Sequence, residues 1–167
     1  MHILTVCLGN ICRSPAAESV LTRKLAEAGL DDVTVTSAGM GDWHVGDGPH
    51  HLTVQEGEAR GYEFTSVAQQ FAPRHFDEAD LILPMDAGNE RAILAMARTP
   101  EDAAKVVRMG AFASNRAAGI ADVPDPWGHP RPAFVRMYDQ LEDAVDGLVQ
   151  AIADGTLDDV MAAAKAR

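Results

Sequence analysis

The sequence predicts an α/β fold: a single domain built on a four-stranded, mainly parallel sheet with helices on both faces. Short β-branched apolar runs alternate with segments of helical periodicity, the pattern of parallel strands joined by crossover helices. The length of 167 residues suits one domain that buries a core without disulfide staples. A hydrophobic share of 47% and a charged share of 23% are those of an ordinary globular chain.

The elements follow in order. Ile3 to Val6 is the first strand, and Gly9 follows closely. Ser14 to Ala28 is a helix, with Ala17, Val20, Leu21, Leu25 and Ala28 at helical spacing and Gly29 at the C-terminal cap position. Pro15 is tolerated there because the first N–H groups of a helix have no internal partner. Val33 to Thr36, Leu81 to Leu83 and Lys105 to Met109 are the second, third and fourth strands. A helix over Asp86 to Ala97 stops near Pro100. A long amphipathic helix then carries Phe134, Tyr138, Leu141, Val145, Leu148 and Ile152 on one face. Residues 1–155 form the domain, and 156–167 a tail that is helical or frayed. Two turn-rich stretches, Gly39 to Pro49 and Asp122 to Pro132, are expected at the same sheet end as the first loop.

The formal charge of −11 excludes a general nucleic-acid binder, which needs a basic face. It does not exclude a phosphate ester, because a pocket's field depends on its nearest few donors. Both cysteines, Cys7 and Cys12, lie near the N-terminus and cannot form a secreted disulfide framework. Residues 1–6 lack a basic lead-in, and no apolar run reaches membrane-spanning length, so a cytoplasmic protein without membrane contact is expected.

The chemistry sits in the first loop, Cys7-Leu8-Gly9-Asn10-Ile11-Cys12-Arg13-Ser14. A loop curled at a helix N-terminus turns its backbone N–H groups toward an anion. Such a positive environment favours a thiolate over a thiol. Cys7 is then the candidate nucleophile, and Arg13 a planar fork for two phosphate oxygens. Gly9 permits a backbone angle other residues resist, and Ser14 either donates to the sulfur or caps the helix. A cysteine ending a strand is by itself commonly a small core residue. Cysteine, five residues, arginine and serine between strand and helix point instead to oxyanion chemistry.

Cys7 to Pro15, with Ala17 and Glu18, resembles the signature of the low-molecular-weight protein tyrosine phosphatases. The resemblance continues through Ser37-Ala38-Gly39, Trp43-His44-Val45-Gly46, Met85-Asp86 with Asn89, and Val123-Pro124-Asp125-Pro126. It implies a phosphotyrosine phosphatase I-like, Rossmann-like domain. The implied activity is hydrolysis of phosphotyrosine and small aryl phosphates through a cysteinyl-phosphate, with no metal and no cofactor. Leu8, Gly9, Asn10, Ile11, Cys12 and Ser14 would surround the phosphate, with Asn10 fixing the loop by bonds to Ser14 and Ser37. Asp125, by itself also a plausible turn opener, takes the family's general-acid position. Trp43 and Trp127 become walls of an aryl slot. Implied partners are a phosphotyrosyl protein, a tyrosine kinase among the possibilities, and phosphate or other oxyanions; a monomer or weak dimer is expected.

The chain departs from the family in places. Trp127-Gly128 replaces a tyrosine pair that serves regulation in some members. Ser66 and Gln69 stand where the family tends to have His and Arg, which predicts looser support of the first loop. His50-His51 invites a metal site, but adjacent histidines without a nearby ligand pattern fit a solvent-facing loop better. Asp86 is expected to cap its helix, and Cys12 to trap an oxidised Cys7 or simply to pack under the loop. Three competing functions remain: arsenate reduction, whose thioredoxin-coupled form needs relay cysteines absent after Cys12; a non-catalytic phosphate sensor; and a phosphocarrier, against which Arg13 speaks.

Overall fold

In the computed structural model, which describes residues 1–167, strand β1 (His2–Cys7) runs between β2 (Thr34–Gly39) and β3 (Leu81–Pro84). Both pairings are parallel, with His2 opposite Thr34 through Cys7 opposite Gly39, and Ile3 opposite Leu81 through Val6 opposite Pro84. The sheet order is therefore β2-β1-β3. Alternation along β1 sends Ile3 and Cys7 to one face and Leu4 and Val6 to the other, and all four are buried. Apolar residues on both faces explain why β1 takes the central position.

The sheet has three strands, which corrects the expectation of four. Over Lys105 to Met109 the sheet contact shrinks to one parallel bridge between Ile82 and Val106. A short helix, α5 (Pro100–Ala104), ends immediately before this stretch, and a 3₁₀ turn starts at Met109. Too little extended chain remains between them for a ladder. The apolar content that suggested a strand instead fills the core through Val107 and Met109.

Helices cover both faces. On one side α1 (Arg13–Glu27) and α6 (Arg131–Asp154) build the larger core. On α6, Phe134, Tyr138, Leu141, Val145 and Leu148 are buried and Ile152 is half-buried, as its periodicity predicts. The other face carries a smaller core in which α3 (Arg74–Glu78) and α4 (Ala87–Met96) contribute Phe76 and Ile93. Between β2 and α3 lies α2 (His51–Ala59), fixed to α6 by a 2.6 Å bond from the Tyr138 hydroxyl to the Thr53 carbonyl. Beyond Gly155, α7 (Leu157–Lys165) lays Leu157, Val160, Met161 and Ala164 against the larger core. No helix is long and apolar enough to cross a membrane.

The His50-His51 pair divides: His51 is exposed in the first turn of α2, as a solvent-facing residue should be, whereas His50 is half-buried and structural. His50 caps α2 by accepting the Leu52 N–H at 3.1 Å, and its ring stacks on Phe134 at 5.1 Å. Burial pulls its pKa below the ordinary value, and the neighbouring His51 and His44 act in the same direction. No group of three His, Cys, Asp or Glu side chains is placed to hold a metal ion.

Candidate active site

Cys7 is the last residue of β1, and the loop between it and α1 folds back over its sulfur. The fold-back needs a left-handed residue, and Asn10 supplies it at φ 56°. Its backbone N–H points to Cys7 Sγ at 3.3 Å, and Ser14 Oγ stands 3.0 Å from the same sulfur. Asn10 Nδ2 donates to Ser14 Oγ at 2.8 Å, so the hydroxyl hydrogen is left to point to the sulfur or to the Ala38 carbonyl at 3.4 Å.

Asn10 and Ser14 are thus buried behind the loop rather than in the cavity wall. The expected bond from Asn10 to Ser37 is absent. Asn10 Oδ1 instead accepts the Gln69 N–H at 3.0 Å, and Gln69 Nε2 donates to the Ser37 carbonyl at 2.9 Å. Residue 69 thus holds the loop through its backbone N–H, while its side chain reaches Ser37 and not the loop itself. The Ser37 hydroxyl turns to Glu18, donating to Oε2 at 3.1 Å. Burial holds the Glu18 carboxyl above its usual range, opposed by bonds from Ser37 and Ser66.

Arg13 opens α1 and is buried. Its Nη1 donates to Asp86 Oδ2 at 2.6 Å and to the Val123 carbonyl at 3.1 Å. Its Nη2 lies 3.6 Å from Asp125 Oδ2, and its buried Nε has no partner. Burial alone would lower its pKa, but Cys7, Asp86 and Asp125 together raise it, so the guanidinium stays charged. Asp86 fulfils the expected cap of α4, accepting the Asn89 N–H at 2.7 Å through Oδ1. Its second oxygen, on Arg13, is the role that sequence reasoning missed; a capping aspartate carries no signal of what its free oxygen meets.

The two turn-rich stretches converge on the loop, as expected. Val123 is tied to the end of β3 by its N–H on the Met85 carbonyl at 2.9 Å, which delivers Asp125 to the cavity. Asp125 Oδ1 accepts the Trp127 N–H at 3.1 Å, an Asx-type turn that seats the indole beside the carboxylate. From the other stretch come Trp43 and His44. A Cβ on Gly41 would lie 2.0 Å from the Trp43 ring, so only glycine lets the indole fold back at this point.

The result is a cavity of about 280 Å³. Cys7, Leu8, Gly9, Ile11, Cys12 and Arg13 line its floor and sides, with Trp43 and His44 on one wall and Asp125 and Trp127 on another. His44 is the lining residue not singled out beforehand; its place in the Trp-His-Val-Gly run was the available signal. Both cysteines are free. The Cys12 thiol is pushed up to about 12 by burial first, then by the negative charges of Asp125 and Cys7.

The family model described as low molecular weight phosphotyrosine protein phosphatase matches residues 2–156. The chain belongs to this phosphatase family. It is 39% identical over 152 residues to a low molecular weight protein-tyrosine-phosphatase of Streptomyces coelicolor, covering 90% of this chain and 93% of that one. A crystal structure of the protein tyrosine phosphatase from Entamoeba histolytica with Hepes in the active site superposes with a TM-score of 0.88 at 32% identity. That match covers 94% of this chain and 99% of the other. A Drosophila arginine phosphatase is also similar, with a TM-score of 0.84 and 28% identity over 91% and 98% of the two chains. Membership of this phosphatase family makes the chain an enzyme.

Proposed function

We propose that the chain hydrolyses phosphotyrosine and small aryl phosphates through a cysteinyl-phosphate. One observation carries this proposal: Arg13 Nε is buried without a partner in a side chain that lines the cavity floor with Cys7. A buried donor left unpaired costs roughly 1–3 kcal/mol. Phosphate oxygens on Nε and Nη2 would satisfy it bidentately, while Asp86 and Val123 hold the opposite corner of the guanidinium.

Cys7 Sγ attacks phosphorus as the bond to the phenolic oxygen breaks. Asp125 gives that oxygen a proton, so a neutral phenol leaves. The Asp125 carboxylate then takes a proton from water, whose oxygen attacks phosphorus and displaces the sulfur. Inorganic phosphate leaves and both groups are restored. Arg13 and the loop's N–H groups meet the oxyanion charge at each stage, so no metal or cofactor is invoked. A reducing cytoplasm would keep Cys7 and Cys12 as the free thiols this chemistry uses, and that is the compartment proposed for the enzyme.

The walls favour an aryl ester over phosphoarginine. Leu8, Ile11, Trp43 and Trp127 offer an uncharged ring a largely apolar slot, with about 0.5–1.5 kcal/mol from ring contacts beyond burial. A guanidino group needs acceptors, and Asp125 is the only carboxylate in the lining. The test compares wild type, Cys7→Ser and Asp125→Asn on p-nitrophenyl phosphate, a phosphotyrosyl peptide, phosphoarginine and arsenate, with EDTA present. Wild type should hydrolyse the first two, Cys7→Ser none, and Asp125→Asn more slowly by about 10²-fold or more. Full activity of Cys7→Ser, or a preference for phosphoarginine or arsenate, overturns the proposal.

A further inference from the structure

Seven large hydrophobic side chains are exposed on this acidic protein, and five of them, Leu8, Trp43, Val45, Val67 and Trp127, belong to the rim segments of the cavity. Leu8, Trp43 and Trp127 are accounted for, since they line the cavity itself. Val45 and Val67, at 55% and 61% exposure, do not line it. The segments that carry them run side by side, because the Gly46 N–H donates to the Ala68 carbonyl and the Ala68 N–H to the Asp47 carbonyl, both at 2.9 Å. The adjoining Gln69 N–H reaches Asn10 of the loop, which makes this pair a continuation of the rim. Exposed apolar groups scattered singly need no explanation, but a cluster at a cavity mouth does.

We propose that Val45 and Val67 form a shelf for the polypeptide flanking the phosphotyrosine, selecting substrates with apolar and basic residues there. The inference rests on the proposed phosphotyrosine activity. Only the phosphorylated side chain enters the cavity, so the rest of a protein substrate leaves across this rim. Charge sets the second half of the preference. Asp42, Asp47 and Asp125 are exposed around the mouth, and the only Lys or Arg lining the cavity is Arg13, buried and bonded to Asp86. With 25 acidic against 14 basic residues overall, the protein's field repels an acidic flank and attracts a cationic one.

The test uses the full-length enzyme and three phosphotyrosyl peptides of equal length, flanked by apolar and basic, apolar and acidic, or Gly and Ser residues. Wild type should show kcat/KM for the first about tenfold above the third, with the acidic peptide below the first. The double variant Val45→Ser, Val67→Ser should lose most of that advantage through KM, keeping its rate on p-nitrophenyl phosphate. Equal handling of the three peptides by wild type, or an undiminished preference in the variant, overturns the shelf. Self-association in sedimentation that the variant abolishes, with peptide preference unchanged, overturns it in favour of a contact between two copies. Turnover of p-nitrophenyl phosphate with none of any phosphotyrosyl peptide removes the phosphotyrosine proposal itself, and is thereby told apart from failure of the shelf alone.

Discussion

Arg13 and Asp86 meet at 2.6 Å, and the carboxylate that receives the guanidinium also caps α4 with its other oxygen. Arg13, the proposed phosphate clamp, is therefore held by the start of a helix on the opposite face of the sheet. Asp86→Asn keeps a capping side chain but removes the charge opposite Arg13. It should raise KM for aryl phosphates about tenfold and destabilise the fold by roughly 1–3 kcal/mol, less than a fully buried pair because Asp86 is 26% exposed. Asp86→Ala should lose about 1 kcal/mol more with the cap. Steady-state kinetics and thermal unfolding measure both.

The same pair predicts an acid dependence. Burial pushes the Asp86 carboxyl up, but the Asn89 N–H and the Arg13 guanidinium together hold it below its ordinary value. A depressed carboxyl stabilises the folded state above its unfolded pKa, near 4, and loses that contribution as pH falls through the folded value. The difference in Tm between wild type and Asp86→Asn should be constant above about pH 5 and shrink below about pH 4. A gap that widens on acidification contradicts this sign.

Asn10 should be replaceable by glycine more cheaply than by alanine. Alanine must adopt φ 56° and also loses the bonds to Ser14 and Gln69, whereas glycine loses only the bonds. The left-handed conformation itself costs about 1 kcal/mol or more for alanine. Asn10→Gly is expected to unfold at a higher temperature than Asn10→Ala, with both reduced in kcat. Equal Tm values would show that the backbone angle is not what the asparagine supplies.

Gly41→Ala should separate binding from stability. The added Cβ displaces the Trp43 ring, which is 67% exposed and free to move, so Tm should change little. KM for p-nitrophenyl phosphate should rise several-fold, within the loss of about 1 kcal/mol expected for one aromatic wall. Peptide and small-ester kinetics on one preparation decide it.

Oxidation should distinguish the two cysteines. With its thiol pushed up to about 12, chiefly by burial, Cys12 stays protonated at neutral pH and should not be the first target of an oxidant; its expected part is to capture an oxidised Cys7. Hydrogen peroxide should convert Cys7 to sulfenic acid, and Cys12, giving up its proton, should displace the hydroxyl as water to form a disulfide. Mass spectrometry should find the Cys7–Cys12 bridge with activity recoverable by dithiothreitol. In Cys12→Ser, inactivation should become irreversible; recovery there as complete as in wild type rejects the trap.

The sequence made the local parts of this site legible and left the long-range parts hidden. Cys7, Arg13 and the strand–loop–helix around them follow from a few contiguous residues, and so does the burial pattern of α6. The missing fourth strand shows the limit: Val106, Val107 and Met109 have strand-like apolarity, but α5 and the following 3₁₀ turn leave them one bridge. Asp86 shows another, since the pairing of β1 with β3, not spacing, brings its carboxylate to Arg13. The backbone N–H of Gln69 that holds Asn10 is a third, since no side-chain identity announces a main-chain bond.

With β1 at the centre of the sheet, the site draws on parts of the chain that are made at different times. Cys7 and Arg13 emerge from the ribosome early, yet Arg13 waits for Asp86, 73 positions later, and for Val123, 110 positions later. A nascent chain stalled before Val123 would carry the nucleophile without a finished clamp. Closing such distances costs loop entropy that only the docked sheet and helices repay. Turnover regained on refolding is therefore expected no earlier than the docking of Asp86 and Val123 on Arg13.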